Sequence, residues 1–210
     1  MKHKIYTVAL GFLVTGFIVF APIQILPTSL GATATPQGPF EEIQPQPSLA
    51  ILEKKIVKFQ TPAQFVEALL PFSKKAGKEL GIDPKLILAQ AAHETNWGRN
   101  IPKHKDGSSS FNLFGLKGSA QGKSVKLRTK EFKGGKSYRL SANFRAYEGY
   151  LECFTDYVRI LSMDRYQRKI QHAKSVHEVA TGIQRAGFAT DPLYAKKLMK
   201  AYHHPALKNA

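Results

Sequence analysis

ILAQAAHETNWGRN, residues Ile87 to Asn100, reads as an enclosed helix that ends in a carboxylate. Leu86, Ile87, Leu88, Ala89, Ala91 and Ala92 leave almost no polar face, the pattern of a helix surrounded by other elements. Asp83 and Pro84 form its start signal, a capping side chain followed by proline at the first helical position. Gly98 is the expected stop. Glu94 then falls in the last turn, on the face of Ile87 and Ala91 and beside Trp97, the single tryptophan. The negative end of the helix dipole and partial burial both disfavour ionisation there. A general acid working near neutral pH needs that bias. A glutamate reaching solvent at a helix end is the competing reading.

Outward from this helix, Thr61-Pro62-Ala63-Gln64 is a capping box with proline at the first helical position. Phe65, Leu69 and Phe72 mark one face of the helix that follows; Pro71 is expected to kink it and Gly81 to end it. The short turn before Pro84 predicts that the two helices pack antiparallel. Beyond Ile101 the period changes. Val125, Leu127, Thr129 and Glu131 alternate with Lys126, Arg128, Lys130 and Phe132, and Tyr138, Leu140, Ala142 and Phe144 alternate on a return strand. KGGK, residues 133–136, is the expected hairpin turn. Helical texture resumes after Arg145, with Tyr147, Leu151, Phe154, Val158 and Leu161 as one apolar stripe. Ser175 caps a further helix stopped by Gly187, and Asp191-Pro192 starts the last one. The ending HHPALKNA has no apolar period and is expected to fray.

The 210 residues divide into an N-terminal segment (1–34), a linker (35–60), a folded region (61–203) and a tail (204–210). Met1 to Lys4 is basic, Ile5 to Leu26 is mostly apolar, and Ala32-Thr33-Ala34 is a small-residue cleavage pattern. This suits a secretory signal peptide or an uncleaved membrane anchor, and either exports the remainder. TPQGPFEEIQPQPS has linker composition. A formal charge of +16 favours polyanions such as nucleic acid, acidic headgroups or an anionic wall polymer. The export signal and the lack of a recognition motif argue against nucleic acid.

Several chemistries are excluded by pattern. His93-Glu94 begins like the zinc-protease motif, but Trp97 stands where the second histidine belongs, so no metal is expected. No phosphate-binding glycine loop and no G-x-S-x-G occur, and no cofactor is implied. Cys153 alone cannot form an internal disulfide and reads as a buried thiol. Carboxylates remain. Asp83, Asp191 and Glu178 are explained as caps; Glu148, Glu152 and Asp156 recur every four residues and read as a solvated face. Glu131 is a lone acid among lysines and arginine, either a salt-bridge partner or the second carboxylate that glycoside hydrolysis commonly uses.

AQAAHETNWGRN, SFNLFGLKG, TKEF, NFRAYEGYLECFTDYV and AGFATDPLYAKKL follow one another in an order that resembles the bacterial glucosaminidase domain, glycoside hydrolase family seventy-three. Within it they look like the C-terminal hydrolase domain of flagellar rod-assembly proteins. The resemblance spans about Thr61 to Tyr202. It implies a mainly α fold with a small β-hairpin lobe (α+β), a lysozyme-like helical bundle with a cleft. It also implies hydrolysis of the β-1,4 bond after N-acetylglucosamine in peptidoglycan. By the same resemblance Glu94 is the general acid, Glu131 the second acid and Tyr194 a residue near the reaction centre. Phe111 and Asn112 in FNLFG, Tyr147 in FRAY, and Trp97 are implied to bind substrate. Inversion through a water activated by Glu131 and assistance by the substrate's own acetamido group both stay open. The implied partners are glycan strands and an envelope-spanning or flagellar assembly. The flagellar proteins carry an N-terminal rod-binding domain that is not seen here, so general wall remodelling is an equal expectation. A lytic transglycosylase and a non-catalytic wall-binding module are the rival functions.

Overall fold

The computed structural model describes Leu49, residues 58–133 and residues 136–210, with backbone alone for 129–133 and 136–140. The expected leader and nearly all of the linker lie outside the described residues, as do the turn glycines Gly134 and Gly135. The described elements are α1 (Pro62–Leu80), α2 (Pro84–Thr95), β1 (Ser124–Lys133), β2 (Lys136–Arg145), α3 (Tyr150–Leu161), α4 (Asp164–Ile170), α5 (Val176–Arg185), α6 (Tyr194–Tyr202) and a 3-10 turn (Pro205–Leu207). The fold is the expected one, a helical bundle with a two-stranded lobe. Among the described residues no helix is long and apolar enough to cross a membrane.

Helix α2 is the axis of the bundle. Leu86 through Ala92 are all buried, and α1 and α6 both pack on it. The Asp83 side chain accepts from Lys85 N–H at 2.8 Å, so the start signal works as read. In α1 the Thr61 hydroxyl accepts from Gln64 N–H at 3.2 Å and Gln64 Oε1 accepts from Gln60 N–H at 2.9 Å, a reciprocal cap. Phe65, Leu69 and Phe72 are buried against α2 and α3. α1 continues through Pro71 to a left-handed cap at Gly81. Gly77 lets α1 meet the start of α2: a Cβ there would lie 2.6 Å from the Ile82 carbonyl oxygen.

The strands pair in the register set by their alternation. Val125 pairs with Phe144 and Leu127 with Ala142, so the apolar rows at the ribbon's base share one side, and the backbone pairing continues through Thr129 and Leu140. Lys133 pairs with Lys136, which leaves a two-residue connection as KGGK predicts. The ribbon rests mainly on itself and is tied in at its base. Arg145 N–H donates to the Leu116 carbonyl at 2.9 Å and Gly118 N–H to the Asn143 carbonyl at 2.8 Å.

Five local expectations are corrected. α2 ends at Thr95, not near Gly98. Asn96 takes the left-handed cap, and the Thr95 hydroxyl donates to the Ala91 carbonyl at 2.6 Å while accepting from Gly98 N–H at 2.9 Å. The buried stripe of α3 is Tyr150, Cys153, Phe154, Tyr157, Ile160 and Leu161, with Leu151 and Val158 at its edge; Tyr147 precedes the helix. α6 begins at Tyr194, because Asp191 closes a turn first by accepting from Leu193 N–H at 2.9 Å. Asp156 is no solvated acid. Its carboxylate holds Arg145, Arg159 and Tyr147. The tail does not fray: His204 Nδ1 accepts from Ala206 N–H at 3.2 Å, and Leu207 is fully buried in the core. One anchoring leucine docks a short turn without any period for a sequence reading to find.

Candidate active site

Glu94 is the penultimate residue of α2, so it sits at the negative end of the helix dipole. Its Oε1 accepts a 2.8 Å hydrogen bond from the Tyr194 hydroxyl, across one hundred residues of sequence. On the other side lies the FNLFG loop, where a Cβ on Gly115 would sit 3.3 Å from Glu94 Oε2. Gly115 has φ +61°, in the left-handed region that suits glycine. The carboxyl is therefore held between a tyrosine and a glycine backbone, with no arginine or lysine bonded to it among the described residues.

Burial pushes the Glu94 carboxyl above its ordinary pKa, and the Tyr194 hydrogen bond opposes that rise in part. Tyr194 is pushed well up by burial and then by the Glu94 charge, so it stays a protonated donor. The adjacent His93 is pushed down by burial and by Lys197, which keeps it neutral. Beneath Glu94, one helical turn earlier, Gln90 is fully buried. Gln90 Oε1 accepts from the Tyr157 hydroxyl at 2.7 Å. Neither Gln90 nor Tyr157 was singled out by sequence reasoning. Gln90 had a usable signal, as the one amide in an otherwise apolar run, four residues before the acid. Tyr157 had none.

The expected site residues separate into two groups. Glu94 and Tyr194 are brought together. Asn112 is fully buried instead: its Nδ2 donates to the carbonyls of Leu116 and Arg145, both at 2.9 Å, and its Oδ1 accepts from Leu116 N–H at 3.0 Å. It staples the FNLFG loop and has no donor left for a sugar. The Tyr147 hydroxyl donates to Asp156 at 2.8 Å and anchors the ribbon base. The Trp97 ring packs on Phe65 and His204, and the hollow it shares with His93, Lys197 and Lys200 does not include Glu94. In this structure Asn112 and Tyr147 spend their polar groups inside the fold, and Trp97 packs against neighbouring rings while lining a separate hollow. Phe111, at φ +56°, lines a hollow of about 760 Å3 with Arg99, Lys103 and Tyr150. Glu131 is placed on β1 opposite Tyr138; its side chain lies outside the description. Among the described residues no three His, Cys, Asp or Glu side chains gather to hold a metal ion.

A shielded carboxyl with a raised pKa at the foot of a central helix is what the general acid of a glycoside hydrolase requires. Residues 70–207 match the glucosaminidase family, described as mannosyl-glycoprotein endo-beta-N-acetylglucosaminidase, and the chain belongs to that family. The peptidoglycan hydrolase FlgJ of Pseudomonas aeruginosa is 41% identical over 143 residues, covering 67% of this chain and 36% of that protein. FlgJ of Vibrio parahaemolyticus is 42% identical over 146 residues, covering 68% and 47%. The chain thus spans less than half the length of these relatives. A mutant peptidoglycan hydrolase from Sphingomonas sp. A1 superposes with a TM-score of 0.64 at 38% identity, covering 69% of this chain and 95% of that one.

Proposed function

We propose that this chain is an exported peptidoglycan hydrolase that cleaves the β-1,4 bond after N-acetylglucosamine, with Glu94 as general acid. The carrying observation is the Glu94 carboxyl itself: shielded, raised in pKa, bonded to Tyr194 and unpaired with any described cation. Its proton passes to the glycosidic oxygen as the C1–O bond breaks and positive charge develops on the sugar ring. Either a water that gives its proton to Glu131 or the substrate's acetamido oxygen then attacks C1. The alternating register of β1 supports Glu131 as the second acid, because it keeps this residue in the row of Val125, Leu127 and Thr129. Phe111 offers an aromatic face to the glycan. The formal charge of +16 suits a polymer bearing peptide carboxylates, and the basic, then apolar, N-terminal segment supports export to the periplasm or envelope. A flagellar or other envelope assembly is the setting that the family resemblance suggests.

Digestion of purified sacculi followed by mass spectrometry of the products tests the reading. New reducing N-acetylglucosamine ends are expected, and about a thousandfold fewer with Glu94→Gln. Anhydro-muramyl ends would make the chain a lytic transglycosylase. Unchanged sacculi would leave a wall-binding module.

A further inference from the structure

Three side chains, Tyr157, Gln90 and Tyr194, lie in a buried line behind the acid. The Tyr157 hydroxyl, fully enclosed, donates to Gln90 Oε1 at 2.7 Å. Tyr157 has to find an acceptor there, since an unsatisfied buried hydroxyl costs about 1–3 kcal/mol. That bond fixes which end of the Gln90 amide is oxygen, and Nε2 is left on the other side. Gln90 Nε2 is buried and completes no hydrogen bond of its own. Gln90 and Glu94 are four residues apart on one face of α2, and the Tyr194 hydroxyl reaches Glu94 across that face. The Gln90 amide is among the groups that hold the Tyr194 hydroxyl down against burial, which sets it near that oxygen although no hydrogen bond between the two is completed.

We propose that Gln90 is a positioning residue that sets the direction of the whole line, from Tyr157 through Gln90 and Tyr194 to Glu94. With the Gln90 amide hydrogens turned toward the Tyr194 oxygen, Tyr194 offers its own hydrogen to Glu94 Oε1. The acid's proton is thereby confined to Oε2, the oxygen beside Gly115. A donor behind Tyr194 also strengthens the bond Tyr194 gives to the ionised carboxylate, since linked hydrogen bonds polarise one another. The opposite direction would turn Tyr194 into an acceptor. The Glu94 proton would then sit on Oε1, and Tyr157 would lose its acceptor.

This inference rests on Glu94 being the general acid, and two readouts separate the two ideas. The first needs no substrate: carbon-13 NMR titration of the Glu94 carboxyl, assigned by its disappearance in Glu94→Gln. Gln90→Met keeps the length of the side chain and removes both polar ends. The Glu94 midpoint is expected to move upward in Gln90→Met. It is expected to stay up in Gln90→Met/Tyr157→Phe, which removes the orphaned hydroxyl and restores the melting temperature. The second readout is the pH profile on sacculi. Here kcat falls about fivefold, as for one lost neutral hydrogen bond, KM holds, and the alkaline limb moves to higher pH. An unmoved NMR midpoint in a folded variant overturns the role of Gln90 whatever the activity. Wild-type protein that releases nothing from sacculi, with the midpoint still responding, overturns the hydrolase reading alone.

Discussion

The two places from which a pair of carboxylates would act are built in opposite ways. Glu94 stands at the end of the most enclosed helix, with α1 and α6 packed along it and Tyr194 bonded to the carboxyl. Glu131 stands near the tip of a two-stranded ribbon that pairs with itself and is secured at its base, through Leu116, Arg145 and the Asp156 cluster. A two-stranded ribbon without a packed face is only marginally stable. On the proposed mechanism the contrast would divide the tasks. A group that must keep an unusual pKa would sit where its neighbours are fixed, and a group that activates a nucleophile would sit where approach to a bound glycan stays adjustable.

If that division holds, the largest loss belongs to the helix. Glu94→Gln is expected to lower hydrolysis of sacculi about a thousandfold, within the range for a general acid. The same variant is expected to melt higher than wild type at pH 7. A carboxyl whose folded pKa is raised loses stability as pH climbs past its unfolded value, and glutamine does not ionise. At pH 4 the two melting temperatures should converge. A variant that is inactive and also less stable at pH 7 would mean that Glu94 holds the fold together. Glu131→Gln comes next, with a loss of about a hundredfold and no change in melting temperature. Azide rescue with inverted product would support Glu131 as the base for water. A Glu131→Gln protein with full activity would leave the substrate's acetamido group as the attacker.

The same contrast explains what could be read from sequence. α2 was legible because burial writes itself as an unbroken apolar run, and Asp83-Pro84 fixed its start. β1 and β2 were legible because a period of two sets both face and register. Tyr194 beside Glu94 entered through a family resemblance, since nothing local joins residues one hundred positions apart. The internal bonds of Asn112 and Tyr147 and the ring packing of Trp97 were not legible, for one physical reason. A polar or aromatic group near a cleft and one that staples a loop look the same until its hydrogen bonds are counted. Asp156 was misread because helical spacing cannot show that Arg145 arrives from the ribbon.

Between the extremes stands Tyr194→Phe, expected to cost about tenfold in kcat. Its diagnostic is the sign of the pH effect. The hydroxyl bond favours the ionised carboxyl, so its removal raises the Glu94 pKa further. The alkaline limb of the kcat profile should therefore move to higher pH while the peak falls. A downward move would mean that Tyr194 accepts from a protonated Glu94 and would reverse the direction of the buried line.

The smallest effect is expected at the joint between the two regions. Asp156 takes Arg145 at 2.6 Å, Arg159 at 2.7 Å and the Tyr147 hydroxyl at 2.8 Å, so it clamps the root of β2 to α3. Burial pushes its carboxyl up, but the bonds from Tyr147, Arg159 and Arg145 outweigh that and hold it below the ordinary value. The cluster contributes stability above the unfolded carboxyl pKa of about 4 and loses it as pH falls through the lower folded value. Asp156→Ala is expected to destabilise the protein by about 1–3 kcal/mol at pH 7, with the gap to wild type closing in acid. Activity well below the melting temperature should fall only about twofold, because one broken clamp loosens the ribbon without touching the acid. Hydrogen exchange would decide the point: faster exchange confined to residues 117–146 is what a hinge predicts. Faster exchange reaching Gln90 and Glu94 would mean that ribbon and acid are one cooperative unit, and the division of tasks between them would fail.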